Sequence, residues 1–217
     1  MAFPGQVLDN PVSGERFIFS KFAAGTGGEL LAVEFVVAPD GRVPGAHVHP
    51  VQEESFEVVR GTMRFERGQE TVLAGPADTV VVPPGIAHLF ANAGKGPAVV
   101  RAEVRPALRM EQLWETVVAL AAEGRTFRSG LPRPLDLALF MWEFEDEVRA
   151  PFAPGMARAA TAPLAWLAAR RGLARRYQAP GIGDQARPRK PAPTRPGEGR
   201  GHPTRPAPVR PVSPRQR

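Results

Sequence analysis

Between Arg16 and Arg105 turn signals recur roughly every ten residues, and no other feature restricts the fold as tightly. Segments rich in β-branched and aromatic residues (RFIFSKF, ELLAVEFVV, SFEVVRG, TMRFERG, TVLAG, TVVVPPG and PAVVRAEVRP) are separated by turn-forming clusters. Those clusters are Gly25-Thr26-Gly27-Gly28, Pro39-Asp40-Gly41, Gly68-Gln69 and Asn92-Ala93-Gly94. Many short strands in close succession predict a sandwich or jelly-roll barrel rather than alternating βα units.

After Pro106 the period changes. In RMEQLWETVVALAAEG, Met110, Leu113, Val117 and Leu120 fall on one face, which predicts a helix. Pro134 opens a second helical stretch, LDLALFMWEFEDEV, from its first turn. A third stretch runs from Pro154 to Tyr177, with Pro163 expected to interrupt it. The fold class expected is therefore mainly β, a barrel followed by two or three α-helices and a tail. The boundaries are 1–106 for the barrel, 107–179 for a helical extension packing on the barrel or on a dimer partner, and 180–217 for the tail.

Composition enters through that tail. The chain has 28 Lys+Arg against 22 Asp+Glu, a net +6. Residues 180–217 hold 9 of the basic and 2 of the acidic residues, with 10 of the 25 prolines and no aromatic residue. Such a segment buries too little apolar surface to offset its ordering entropy and is expected to be disordered. The remaining residues carry 19 basic and 20 acidic side chains, so the basic balance is not that of a nucleic-acid-binding surface. No aromatic interleaves the tail arginines, and no specific nucleic-acid partner is expected. A basic amphipathic stretch at 156–177 suits a membrane surface, but packing of its Leu164, Trp166, Leu167 and Leu173 side against protein is the favoured reading. Without cysteine there are no disulfides, thiolate ligands or cysteine nucleophile. The first residues lack a basic stretch followed by an apolar one, so no signal peptide is expected, and the expected location, which the absence of cysteine also fits, is the cytoplasm.

Three of the four histidines lie within the strand-rich region. His47 and His49, one residue apart, emerge from the same face of an extended chain. Two glutamates follow, and strand parity separates them. Glu54 shares a face with Phe56 and Val58, Glu53 with Ser55 and Glu57, so Glu54 points into the barrel and Glu53 into solvent. His88 begins the strand after the Pro83-Pro84-Gly85 turn and shares a face with Phe90 and Asn92. An inward glutamate beside inward histidines is either a metal site or a hydrogen-bonded polar core. Phe56, Phe65, Phe90 and Met63 read as core or pocket wall, Asn92 as a turn residue and Arg64 as solvent-facing. Glu34, among apolar neighbours, is a candidate pocket residue.

These residues resemble the cupin superfamily, in particular its small single-domain barrels. Gly41, His47, His49, Glu54 and Gly61 match every position of the first cupin motif. Asp78, Pro83, Gly85, His88 and Asn92 match the second, with Ala77 where that motif has glycine. The resemblance implies a jelly-roll barrel holding one divalent ion, Fe, Mn, Ni or Zn, with His47, His49, Glu54 and His88 as ligands and Glu54 as candidate catalytic base. It also implies a small-molecule substrate or ligand and a homodimer. The function expected is a mononuclear metal-dependent, dioxygenase-like oxidoreductase. The alternatives are a non-catalytic ligand-binding barrel and a cupin isomerase or lyase.

Overall fold

Strand parity organises the fold. In the computed structural model, which describes residues 5–152 and 154–173 and only the backbone of 154–160, nine strands precede three helices among the described residues. The strands are β1 (Val7–Asp9), β2 (Glu15–Lys21), β3 (Leu31–Val37), β4 (Glu53–Arg60), β5 (Met63–Arg67), β6 (Glu70–Ala74), β7 (Thr79–Val82), β8 (His88–Asn92) and β9 (Ala98–Arg105). The helices are α1 (Met110–Ala122), α2 (Pro134–Glu143) and α3 (Pro154–Arg170). One sheet runs β1-β2-β3-β9-β4-β7 and the other β6-β5-β8, with antiparallel pairing throughout. Together they make the two-sheet jelly roll predicted from the strand spacing.

Alternate residues of the central strands face one core. On β4 these are Glu54, Phe56 and Val58, and on β9 they are Ala98, Val100, Ala102 and Val104. The segment from Gly41 to His49 extends the smaller sheet, because Arg42 bridges Ala91 and His47 bridges His88. Two motif glycines are fixed by close approach. A Cβ at Gly61, where φ is +87°, would lie 2.8 Å from Ala98 Cα, and one at Gly41 would lie 2.8 Å from the Ala38 carbonyl oxygen. Ala77 adopts φ +71°, the left-handed region in which the expected glycine would be unstrained.

The helices share the core of the barrel. Met110, Leu113 and Trp114 of α1 and Ala138, Leu139 and Phe140 of α2 join Phe17, Phe35 and Phe90 in one cluster. Trp114 packs on Phe35 and Phe17 at ring-centroid distances of 5.3 and 5.7 Å.

Two helical expectations are corrected. The second helix ends at Glu143 instead of running on to Val148: Glu147 and Val148 both donate to the Phe144 carbonyl, and Arg149 pairs with Val48. The third continues through Pro163, with one N–H missing from its ladder. Among its described side chains Ala165 and Ala168 are buried, Leu167 is half-buried, and Trp166 and Leu164 are exposed, while Leu173 just beyond the helix packs on the core. No described helix is long and apolar enough to cross a membrane. The tail at 180–217, and the end of the 156–177 stretch, lie outside the described residues.

Candidate metal centre

Four side chains from three parts of the barrel meet at one point. His47 and His49 come from the segment before β4, Glu54 from the inward row of β4, and His88 from the first position of β8. Antiparallel pairing of His47 with His88 brings their ring centroids to 4.3 Å. His49 stands 5.0 Å from His47 and 5.3 Å from His88. One ligand atom from each of the four residues lies within 4.8 Å of the others, so the cluster can hold a metal ion. His49, Glu54 and His88 are buried and His47 is half-buried.

Each imidazole is held by its Nδ1. That atom lies at hydrogen-bond distance from a backbone carbonyl in all three: Gly45 for His47 (3.1 Å), Ile86 for His88 (3.2 Å) and Glu147 for His49. The Nδ1–H donates in each contact, which leaves the Nε2 lone pair facing the cluster. Glu54 Oε2 lies 2.8 Å from His88 Nε2 and 3.3 Å from His49 Nε2. With the ring protons on Nδ1 these are contacts between lone pairs, and His49 Nε2, His88 Nε2 and Glu54 Oε2 are buried without hydrogen-bond partners among the described residues. Buried polar atoms are rarely left so. Three nitrogen lone pairs and a carboxylate aimed at a common point fit a divalent cation, which a hydrogen-bonded polar core would not require.

The electrostatics agree. Burial works against the charge on Glu54, but His49 and His88 outweigh it and hold its carboxyl well below the usual carboxylate range. Burial likewise opposes a charged His49, yet the Glu54 carboxylate raises its pKa. Burial first, and then the nearby His88 and His49 rings, push His47 down to about 3. The cluster therefore keeps an ionised carboxylate beside a neutral His47.

The helical extension supplies part of this site, which sequence reasoning missed. Glu147 holds His49 through its carbonyl and is itself gripped by Arg109, whose Nε and backbone N–H each donate to Oε1 at 3.2 Å. Arg109 also donates to Glu143 Oε1 at 2.7 Å and to the Glu143 carbonyl, and its guanidinium stacks 5.1 Å from the Phe144 ring centre. Gln52, 1% exposed, donates to the Pro106 and Ala107 carbonyls and leaves its Oε1 unpartnered. Its position two residues before Glu54 marks it as inward by the same parity argument. Nothing in FEDEV distinguishes Glu147 from its acidic neighbours.

The remaining candidates take their places around the cluster. Glu53 is exposed, and Arg64 pairs with Glu66 at the surface. Asn92 ties down its turn by donating to the Val37, Ala38 and Gly96 carbonyls. Phe65 and Met63 belong to the core, while Phe56 and Phe90 also form cavity wall. Glu34 sits on the opposite face of β3 from Phe35 and does not line the cavity. That cavity, of about 630 Å³, opens between the barrel and the helices and is bordered by His47, His49 and Glu54.

Residues 33–104 match the family model of the cupin domain. The chain carries a cupin domain. No curated protein matches it. Among solved structures it is similar to KdgF from Halomonas sp., at 19% identity over 46% of this chain and 86% of that one, with a TM-score of 0.41. An RmlC-like cupin from Shewanella frigidimarina is 18% identical over 49% and 90% of the two chains (TM-score 0.41). A predicted oxalate decarboxylase from Thermotoga maritima is 17% identical over 46% and 90% (TM-score 0.42).

Proposed function

We propose that this cupin is a mononuclear metal enzyme that oxidises a small organic molecule in the manner of a dioxygenase, with His47, His49, Glu54 and His88 as ligands. The observation that carries the reading is the set of buried, unpartnered atoms His49 Nε2, His88 Nε2 and Glu54 Oε2, clustered beside a cavity of substrate size that His47, His49 and Glu54 line. When bound, a divalent Fe, Mn, Ni or Zn ion supplies a Lewis acid, and iron or manganese a redox centre as well.

The rest of the work falls on the chain. The Nδ1 tethers fix the tautomer and orientation of each imidazole, so the site is organised before any ligand arrives. Glu54, the one carboxylate of the four and part of the cavity lining, is the group placed to accept a proton from a substrate hydroxyl. Phe35, Phe56 and Phe90 wall the cavity and exclude water from the reacting atoms.

A dioxygenase adds both atoms of O2 to one substrate, so oxygen uptake and substrate loss match one to one. The test is oxygen consumption by the iron-loaded chain against a panel of phenolic and sugar-derived compounds, with His88→Ala as control. Stoichiometric uptake that the substitution abolishes supports the proposal. Substrate conversion without uptake would overturn it in favour of isomerisation or bond cleavage.

A further inference from the structure

The cavity beside the cluster has a composition that selects its occupant. Its wall is built from Phe17, Phe35 and Phe90 of the barrel with Leu113, Trp114 and Phe140 of the helices. The rings of Phe17, Phe35 and Trp114 pack edge-on and tilted against one another, which makes this wall a fixed surface. Its volume of about 630 Å³ falls within the range of small-molecule sites.

Polar side chains away from the cluster are few. Arg149 and Glu145 border the opening, half-buried and of opposite sign, with Arg149 Nε donating to the Glu145 carbonyl at 2.8 Å. Thr161 lies on the α3 side. Glu15 is different, because it is only 6% exposed and sits among the apolar residues. Ser13 Oγ donates to its Oε2 at 2.6 Å, and no donor among the described residues reaches its other oxygen.

Strand register places Glu15 far from the cluster. Glu54 aligns through Val104 with Leu31, whereas Glu15 aligns with Val37, six residues further along β3. The cavity thus has a metal-ligating end, an aromatic middle and a single buried carboxyl three inward-facing rows away. A sugar would leave most of its hydroxyls without partners on such a wall, and a carboxylate seated on the aromatic middle beside Glu15 would exchange its hydration for apolar side chains and a second carboxyl.

We propose, resting on the metal-site reading above, that the substrate is an uncharged, largely aromatic or alicyclic molecule whose hydroxyl or carbonyl group is bound by Glu15. Burial raises the pKa of the Glu15 carboxyl against the lowering effect of the Ser13 hydroxyl, so the group can donate as well as accept. Glu15 acts here as a specificity residue and takes no part in the reaction.

Binding to the full chain, followed by tryptophan fluorescence with Trp114 on the wall, tests the proposal in metal-loaded and chelator-treated samples. The probes are 4-phenylphenol, biphenyl, biphenyl-4-carboxylate and glucose. The expected order puts 4-phenylphenol about tenfold tighter than biphenyl, with the carboxylate and glucose weakest. Glu15→Leu should bring 4-phenylphenol to the affinity of biphenyl, while Glu15→Gln keeps the preference. Tighter binding of the carboxylate or glucose by the wild type, or a preference that survives Glu15→Leu, would overturn the inference. Metal content measured on the same samples separates the two readings. A chain that takes up no metal on loading yet keeps the order overturns the metal reading alone, and a metal-loaded chain that lacks the order overturns this inference alone.

Discussion

Replacing Arg109 with methionine should cost more than any surface charge deletion, for a reason the geometry supplies. Glu147 is 2% exposed, and its carboxylate faces both Arg109 Nε and the Arg109 backbone N–H. Removing the guanidinium leaves a buried carboxylate without its cation. Breaking a buried pair from one side costs about 3–5 kcal/mol. At roughly 2–4 °C per kcal/mol for a domain of this size, the melting temperature should fall by about 6–20 °C. A second consequence follows from the same contact. The Glu147 carbonyl holds His49 Nδ1, so loosening Glu147 should weaken metal binding about 10–100-fold, as loss of other outer-shell partners does. Calorimetric melting and metal titration of wild type, Arg109→Met and Arg109→Met/Glu147→Gln read both effects. The double variant keeps the carbonyl and removes the stranded charge, so it should recover most of the stability. A loss below about 1 kcal/mol in the single variant, or a double variant no better than the single, would refute the reasoning.

The two glutamates should separate cleanly: Glu54→Gln abolishes metal retention, whereas Glu53→Gln, on the solvent side of β4, leaves it unchanged in metal titrations. Ala77→Gly should stabilise the chain by about 0.5–1 kcal/mol in denaturant unfolding, because relief of a left-handed alanine exceeds the added backbone entropy of glycine. In chelator-treated protein, His47 and Glu54 have lowered folded-state pKa values, so the unfolded chain binds more protons below about pH 6.5 and melting temperature should fall on acidification toward pH 4. His49, with a raised pKa, contributes the opposite sign and loses its stabilisation as pH rises past its usual range. A melting temperature that rises on acidification would contradict the depressed pKa values of His47 and Glu54.

The barrel was legible because burial imposes a period of two on every central strand, and that period also chose Glu54 over Glu53 with no motif in hand. The helices were legible in kind but not in extent. Nothing in LDLALFMWEFEDEV signals a stop at Glu143, since the chain turns there to pair Arg149 with Val48, a contact some hundred residues away in sequence. The supports of the three imidazoles were invisible for a more general reason. Their acceptors are the main-chain carbonyls of Gly45, Ile86 and Glu147, a group that every residue carries. Arg109 gave no signal either, because a polar residue before a helix is ordinary until Glu143 and Glu147 fold back on it. The packed side of the third helical stretch was legible only in part: Leu173 packs on the core, but Ala165 and Ala168, small enough for close approach, are buried where Leu164 and Trp166 are exposed.

The claim on which the account rests is that His47, His49, Glu54 and His88 form a metal site, and metal content measures it directly. Purified chain, reconstituted with divalent iron or manganese and freed of excess ion, should retain one ion per chain by elemental analysis, and His88→Ala should retain almost none. A reconstituted wild type without stoichiometric metal, or a His88→Ala variant that holds as much as wild type, would contradict it.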